Sequence, residues 1–190
     1  MSTILGISGS LRRESYNTRL LRGAGTLLPR DAELVVFDRL GEIPPYNEDD
    51  EQTPPEAVLA LKRAIADADG VLVATPEYNG SIPGALKNAL DWVSRPRAST
   101  PLQSKPVAVI GASTGLFGAV WAQAEMRKVL ATIGAKVVDR ELPIAQAEDA
   151  LGDDGLPSEE DAREALSATL DELIELAARA PAPEQANIAA

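Results

Sequence analysis

The stretch Thr3-Ile4-Leu5-Gly6-Ile7-Ser8-Gly9-Ser10-Leu11-Arg12-Arg13-Glu14-Ser15-Tyr16-Asn17 holds an apolar run, then a loop of short donors and arginines, then the start of a helical pattern. The run is nearly continuous in apolar residues rather than alternating, as a parallel strand covered on both faces requires. Beyond the loop, Leu20, Leu21, Ala24, Leu27 and Leu28 fall on one helical face. Strand, polar turn and helix make a βα unit, and the same succession recurs along the chain.

Leu34-Val35-Val36-Phe37, Val71-Leu72-Val73-Ala74, Val107-Ala108-Val109-Ile110 and Val137-Val138 read as further strands. Helices are predicted at about 17–28, 55–68, 84–94, 119–133 and 158–179. Pro54-Pro55 opens the second, Pro83-Gly84 introduces the third and Gly134 ends the fourth. The fifth starts at Pro157-Ser158-Glu159-Glu160-Asp161, with Ser158 as the expected cap and the acids complementing the helix dipole. Residues 1–180 are expected to form one domain, with 181–190 a small, proline-broken, flexible tail. Five βα units predict an α/β fold, an open, doubly wound parallel sheet with helices on both faces. Two strand orders compete, 2-1-3-4-5 and that of half a dinucleotide-binding fold; in both, ligands sit beyond the carboxyl ends of the strands.

Composition removes several chemistries. The 190 residues include no cysteine and no histidine, so thiolate catalysis, disulfides, imidazole bases and most transition-metal sites are absent. If the chain is an enzyme, a bound cofactor is expected to carry the chemistry. A net charge of −11 argues against nucleic acid or an anionic membrane as partner. No apolar run is long enough to span a bilayer, and the first residues lack the basic region and cleavage site of a signal peptide, so a cytoplasmic location is expected.

Three loops at predicted strand ends are unusual. In the first, Ser10, Ser15 and Asn17 are short donors at a helix N-terminus and Arg12 adds a charge-assisted contact, a pattern that suits phosphate. Arg13 is either a second contact or solvent-facing, and an ordinary capped turn is the alternative for the whole loop. There is no Gly-Lys-Ser/Thr and no Gly-x-Gly-x-x-Gly, so neither a Walker loop nor a Rossmann dinucleotide loop is present. The second loop, Thr75-Pro76-Glu77-Tyr78-Asn79-Gly80-Ser81-Ile82-Pro83-Gly84, is a rigid turn whose Tyr78 suits a flat aromatic ligand or, equally, caps the core. The third, Gly111-Ala112-Ser113-Thr114-Gly115-Leu116-Phe117-Gly118, matches the Gly-x-Ser-x-Gly of hydrolases, but no histidine exists to activate Ser113.

Together, Gly-Ser-Leu-Arg-x-x-Ser-x-Asn after the first strand and Pro-Glu-Tyr-Asn-x-Ser-x-Pro-Gly-x-Leu-Lys-Asn-Ala-x-Asp-Trp after the third resemble the NAD(P)H-dependent FMN reductases. That family includes quinone, azo-dye and chromate reductases, and the likeness runs from Ile4 to about Val138. It implies a flavodoxin-like three-layer sandwich with a five-stranded parallel sheet in the order 2-1-3-4-5. It further implies that Ser10, Arg12, Ser15 and Asn17 hold the FMN phosphate, with Tyr16 also among the cofactor-binding residues. Pro76, Glu77, Tyr78 and Asn79 would line the isoalloxazine, and Ser113, Thr114 and Gly115 would meet its pyrimidine side. Hydride would pass from NAD(P)H to flavin N5 and on to a small acceptor: a quinone, azo compound, metal oxyanion or free flavin. A homodimer or homotetramer is implied as well. One position departs: where relatives often carry arginine early in the fourth helix, Ala119-Val120-Trp121-Ala122-Gln123 carries Trp121. Tyr46-Asn47-Glu48-Asp49-Asp50-Glu51 lacks the ligand spacing of a calcium loop and reads as a solvated segment. Lys87 and Asn88 read as an exposed helix face. A flavodoxin-type electron carrier without turnover of its own is the alternative function.

Overall fold

The computed structural model describes residues 1–180, so the expected tail at 181–190 lies outside the described residues. Strands β1 (Ser2–Ser8), β2 (Ala32–Phe37), β3 (Gly70–Ala74), β4 (Pro106–Ala112) and β5 (Lys136–Val137) form a parallel sheet in the order β2-β1-β3-β4-β5. The flavodoxin-like order therefore prevails over the dinucleotide-binding one. Register runs Ile4 against Leu34 and Gly70, and Val73 against Val109.

Helices α1 (Tyr16–Thr26), the short α5 (Ala147–Ala150) and α6 (Glu160–Arg179) cover one face; α2 (Glu56–Asp67), α3 (Gly84–Val93) and α4 (Val120–Ile133) cover the other. The apolar runs explain this. Ile4, Leu72, Ala108 and Ile110 point toward Leu20, Leu21, Leu166 and Leu170, while Leu5, Val71, Val73 and Val109 point toward Leu61, Leu86, Met126 and Leu130. A strand buried on both faces needs apolar side chains at every position. Each such leucine or isoleucine stabilises the fold by about 1.5–3 kcal/mol relative to exposure.

Three expectations need correction. The sheet has a sixth strand, β6 (Pro143–Ile144), paired with β4 through Gly111 and Ala112. It lies beyond β5 along the same edge of β4, and two residues that include a proline carry no periodic signal. Ser158 does not cap the last helix: α6 begins at Glu160, no side chain caps it, and the Ser158 N–H donates to Ala150 O instead. Asn88 is no solvent-facing residue; its amide donates to Pro44 O and accepts from Tyr46 N, bracketing the 44–46 segment against α3. Gly134, by contrast, ends α4 as expected, at φ 110° with its N–H on the Leu130 and Ala131 carbonyls.

β1 hands the chain to β2 on one side, and the chain then returns to β3 on the other. The loops leaving β1 and β3 consequently rise to opposite faces, opening a crevice at their carboxyl ends.

Candidate cofactor site

The first loop is anchored at both ends. Gly9 N donates to Ala74 O at 2.8 Å, tying the exit of β1 to that of β3. Ser15 is the N-cap of α1, and its hydroxyl accepts from Thr18 N at 3.2 Å, leaving its own hydrogen free to donate. The N–H groups of Tyr16 and Asn17 lie in the first helical turn and have no intrahelical acceptor. Ser10 is half-buried and its hydroxyl accepts from Arg12 N at 3.4 Å. Arg12 is exposed, its Nε donates to Glu14 O at 3.0 Å, and its guanidinium lies 5.3 Å over the Tyr16 ring. Arg19 lies over the same ring at 5.8 Å and is held by Gly152 O. Tyr16 thus sits under two guanidiniums, which keeps positive charge at the helix entrance.

Asn17 behaves differently from its neighbours. It is buried, and its side-chain amide pairs twice with one backbone residue: Nδ2 donates to Ala112 O at 2.8 Å and Oδ1 accepts from Ala112 N at 2.9 Å. The side chain is spent on joining α1 to the end of β4. What Asn17 can still offer a ligand is its backbone N–H.

The second loop turns at Asn79-Gly80, with φ of 55° and 73°, and is closed by reciprocal hydrogen bonds between Tyr78 and Ser81. Two successive left-handed residues make the tight hairpin turn for which Asn-Gly is the favoured pair. Pro76 is buried, whereas Tyr78 and Asn79 are exposed at the tip. Glu77 faces α4: one carboxylate oxygen accepts from Trp121 N at 3.0 Å and Ala122 N at 3.1 Å.

The third loop lies against β6. Ser113 N donates to Ile144 O, Ala147 N to Ser113 O, and Gln146 N to Gly115 O. The Ser113 hydroxyl accepts from Gly115 N at 3.1 Å, and Thr114 is exposed. Gly118, at φ 57°, passes so close that a Cβ there would fall 2.5 Å from the Pro143 carbonyl carbon. Gln123 closes the arrangement from α4, its buried amide donating to Gly118 O and Leu142 O and accepting from Leu142 N.

All three loops therefore meet at the carboxyl end of the sheet, linked pairwise by Gly9–Ala74, Asn17–Ala112 and Glu77–α4. Their donor set fits a phosphate monoester beside a planar ring system: a free Ser15 hydroxyl hydrogen, two open helix N–H groups, Arg12, and a turn presenting a tyrosine. The fixing roles of Asn17, Glu77 and Gln123 are not readable from the linear motifs, because each has a partner in a distant segment: Ala112 for Asn17, Trp121 and Ala122 for Glu77, and Leu142 for Gln123.

The chain matches the family model described as NADPH-dependent FMN reductase over residues 2–149. It is 40% identical to the 2-hydroxy-1,4-benzoquinone reductase of Burkholderia sp, covering 87% of this chain and 90% of that one. It is 41% identical to an NAD(P)H-dependent FMN reductase of Pseudomonas aeruginosa, covering 90% and 92%. Among solved structures it resembles the flavoenzyme NAD(P)H:(acceptor) oxidoreductase FerB of Paracoccus denitrificans, with a TM-score of 0.82, 35% identity, and coverage of 94% and 98%.

Proposed function

The chain belongs to the NADPH-dependent FMN reductase family, enzymes that use FMN with NAD(P)H as electron donor, and from that premise we propose that it reduces a small quinone-class acceptor. The observation that carries this reading is the convergence of the Ser10–Asn17 loop, the Tyr78 turn and the Ser113–Gly118 loop at the carboxyl end of the sheet.

Each residue then has a defined task. The Ser10 and Ser15 hydroxyls and the open N–H groups of Tyr16 and Asn17 hold the phosphate oxygens at the positive end of α1. Arg12 exchanges the Glu14 carbonyl for the phosphate, a stronger, charge-assisted partner, while the Tyr16 ring keeps the guanidinium nearby. Pro76, Tyr78 and Asn79 set one wall for the ring, and the backbone of Ser113, Thr114 and Gly115 sets its polar edge. When bound, FMN would supply the redox chemistry, hydride acceptance at N5 from NAD(P)H and electron delivery to the acceptor. With no histidine or cysteine in the chain, no imidazole or thiolate takes part in proton transfer.

Leu11 and Leu116 are exposed on the first and third loops. A homodimer or homotetramer would cover such surface, and we include subunit pairing and a cytoplasmic location in the proposal. No helix among the described residues is long and apolar enough to cross a membrane.

The test is anaerobic titration of the FMN-loaded protein with NADH and with NADPH while the flavin absorbance is followed. Bleaching by either is expected, followed by recovery on adding 1,4-benzoquinone. A protein that binds FMN but turns over only with an added reductase is a carrier; one that takes up no FMN overturns the reading.

A further inference from the structure

Helix α4 starts without a cap of its own. Its N-cap position is Ala119, a side chain with no acceptor, held at φ 61° and ψ 31° directly after Gly118 at φ 57°. A left-handed alanine is unfavourable, and alanine is among the poorest N-caps. The missing acceptor comes from another loop, where a single Glu77 oxygen receives both the Trp121 and the Ala122 N–H. Directly after the 79–80 turn, the Ser81 hydroxyl donates to Glu125 on the same helix, one turn further along. The β3–α3 loop thereby grips α4 at two successive turns. Between the grips stands Trp121, half exposed, its ring 4.9 Å from that of Phe117.

We propose that Glu77 is a positioning residue: by capping α4 from the neighbouring loop, its carboxylate fixes the Phe117–Trp121 pair as a wall of the acceptor's approach. It acts through the helix and not by touching the flavin. A carboxylate is suited to this, since it accepts two N–H groups and carries charge opposite to the helix N-terminus. The Tyr78–Ser81 turn and the aromatic wall are then one unit, and an acceptor that loosens either loosens both. The kinetic consequence rests on the function proposed above; the structural one does not.

The test compares Glu77→Ala with Glu77→Gln, whose amide oxygen can still accept both N–H groups. Iodide quenching in the wild type reads Trp121 selectively, because the other tryptophan, Trp92, is 1% exposed. In apoprotein, Glu77→Ala should raise iodide quenching about twofold and speed amide exchange at Trp121 and Ala122 about tenfold, the scale of a lost cap. Glu77→Gln should stay within about twofold of wild type in both. In FMN-loaded protein, Glu77→Ala should raise the KM for 1,4-benzoquinone by a larger factor than it lowers kcat. Unchanged quenching and exchange in Glu77→Ala overturns the proposal. So does a Glu77→Gln variant as exposed as Glu77→Ala, or loss of FMN affinity with Trp121 undisturbed. Should Glu77→Ala not fold, Glu77→Gln decides alone: protected amides with wild-type KM support the cap, exposed amides overturn it. Absence of NAD(P)H oxidation in every variant would sink the proposed function, yet leave the apoprotein measurements to judge the cap.

Discussion

Replacing Asn17 by alanine separates a structural stitch from a ligand. The wild-type amide makes two hydrogen bonds to the buried backbone of Ala112, at 2.8 and 2.9 Å. Truncation strands one N–H and one C=O, each costing about 1–3 kcal/mol when buried without a partner. Some relief from water entry brings the expected loss to about 3 kcal/mol, or about 6–12 °C in Tm for a domain of this size. Asn17→Asp sharpens the argument. A carboxylate can still accept from Ala112 N, but it faces the Ala112 carbonyl oxygen where the wild-type amide donated. Only the protonated acid restores that donor, so the folded-state pKa of the new aspartate must lie above its unfolded value of about 3.9. A raised folded pKa means stability that is present at acid pH and lost as pH rises past about 4. Urea unfolding of the apoprotein at about pH 4.5 and pH 7, with wild type as reference, should show Asn17→Asp losing more at the higher pH. An Asn17→Ala apoprotein within about 0.5 kcal/mol of wild type, coupled with lost FMN affinity, would refute the reasoning and make the side chain a direct phosphate ligand.

Other substitutions test other parts of the site. Arg12→Ala should weaken FMN binding about 10- to 100-fold, the worth of a charge-assisted contact, while kcat in flavin-saturated protein changes far less; equilibrium dialysis against FMN measures it, and equal occupancy would remove Arg12 from the phosphate site. Gly118→Ala combines a left-handed backbone with a contact 2.5 Å from the Pro143 carbonyl carbon, and should cost about 3 kcal/mol in urea unfolding. Burial lowers the pKa of both Lys62 and Lys105 from 10.5, so the native protein releases these protons before the unfolded chain does. Stability should therefore gain from each as pH rises toward 10.5, and urea midpoints between about pH 8 and 9.5 should climb less in Lys62→Met and in Lys105→Met. Tyr46, raised from 10.0 chiefly by its hydrogen bond to Glu51, works in the opposite sense above that range.

The sequence alone was enough to lay out parallel strands, the helices between them and the three loops where a ligand belongs. Continuous apolar runs have one stable use in a chain of this length, and Pro83, Gly134 and the Asn79-Gly80 pair set their local backbone by intrinsic preference. Tertiary structure decided which polar residues in those loops serve a ligand and which serve the scaffold. Asn17 reaches Ala112, 95 positions away, and Glu77 reaches Trp121, 44 positions away, because the order β1-β3-β4 sets those strand ends side by side. The short strand β6 exists for the same reason, since its two residues have no strand character until β4 offers an edge. A short polar side chain near a helix start satisfies its hydrogen bonds with whatever the fold brings closest, so its residue type announces a capacity and the packing assigns its use.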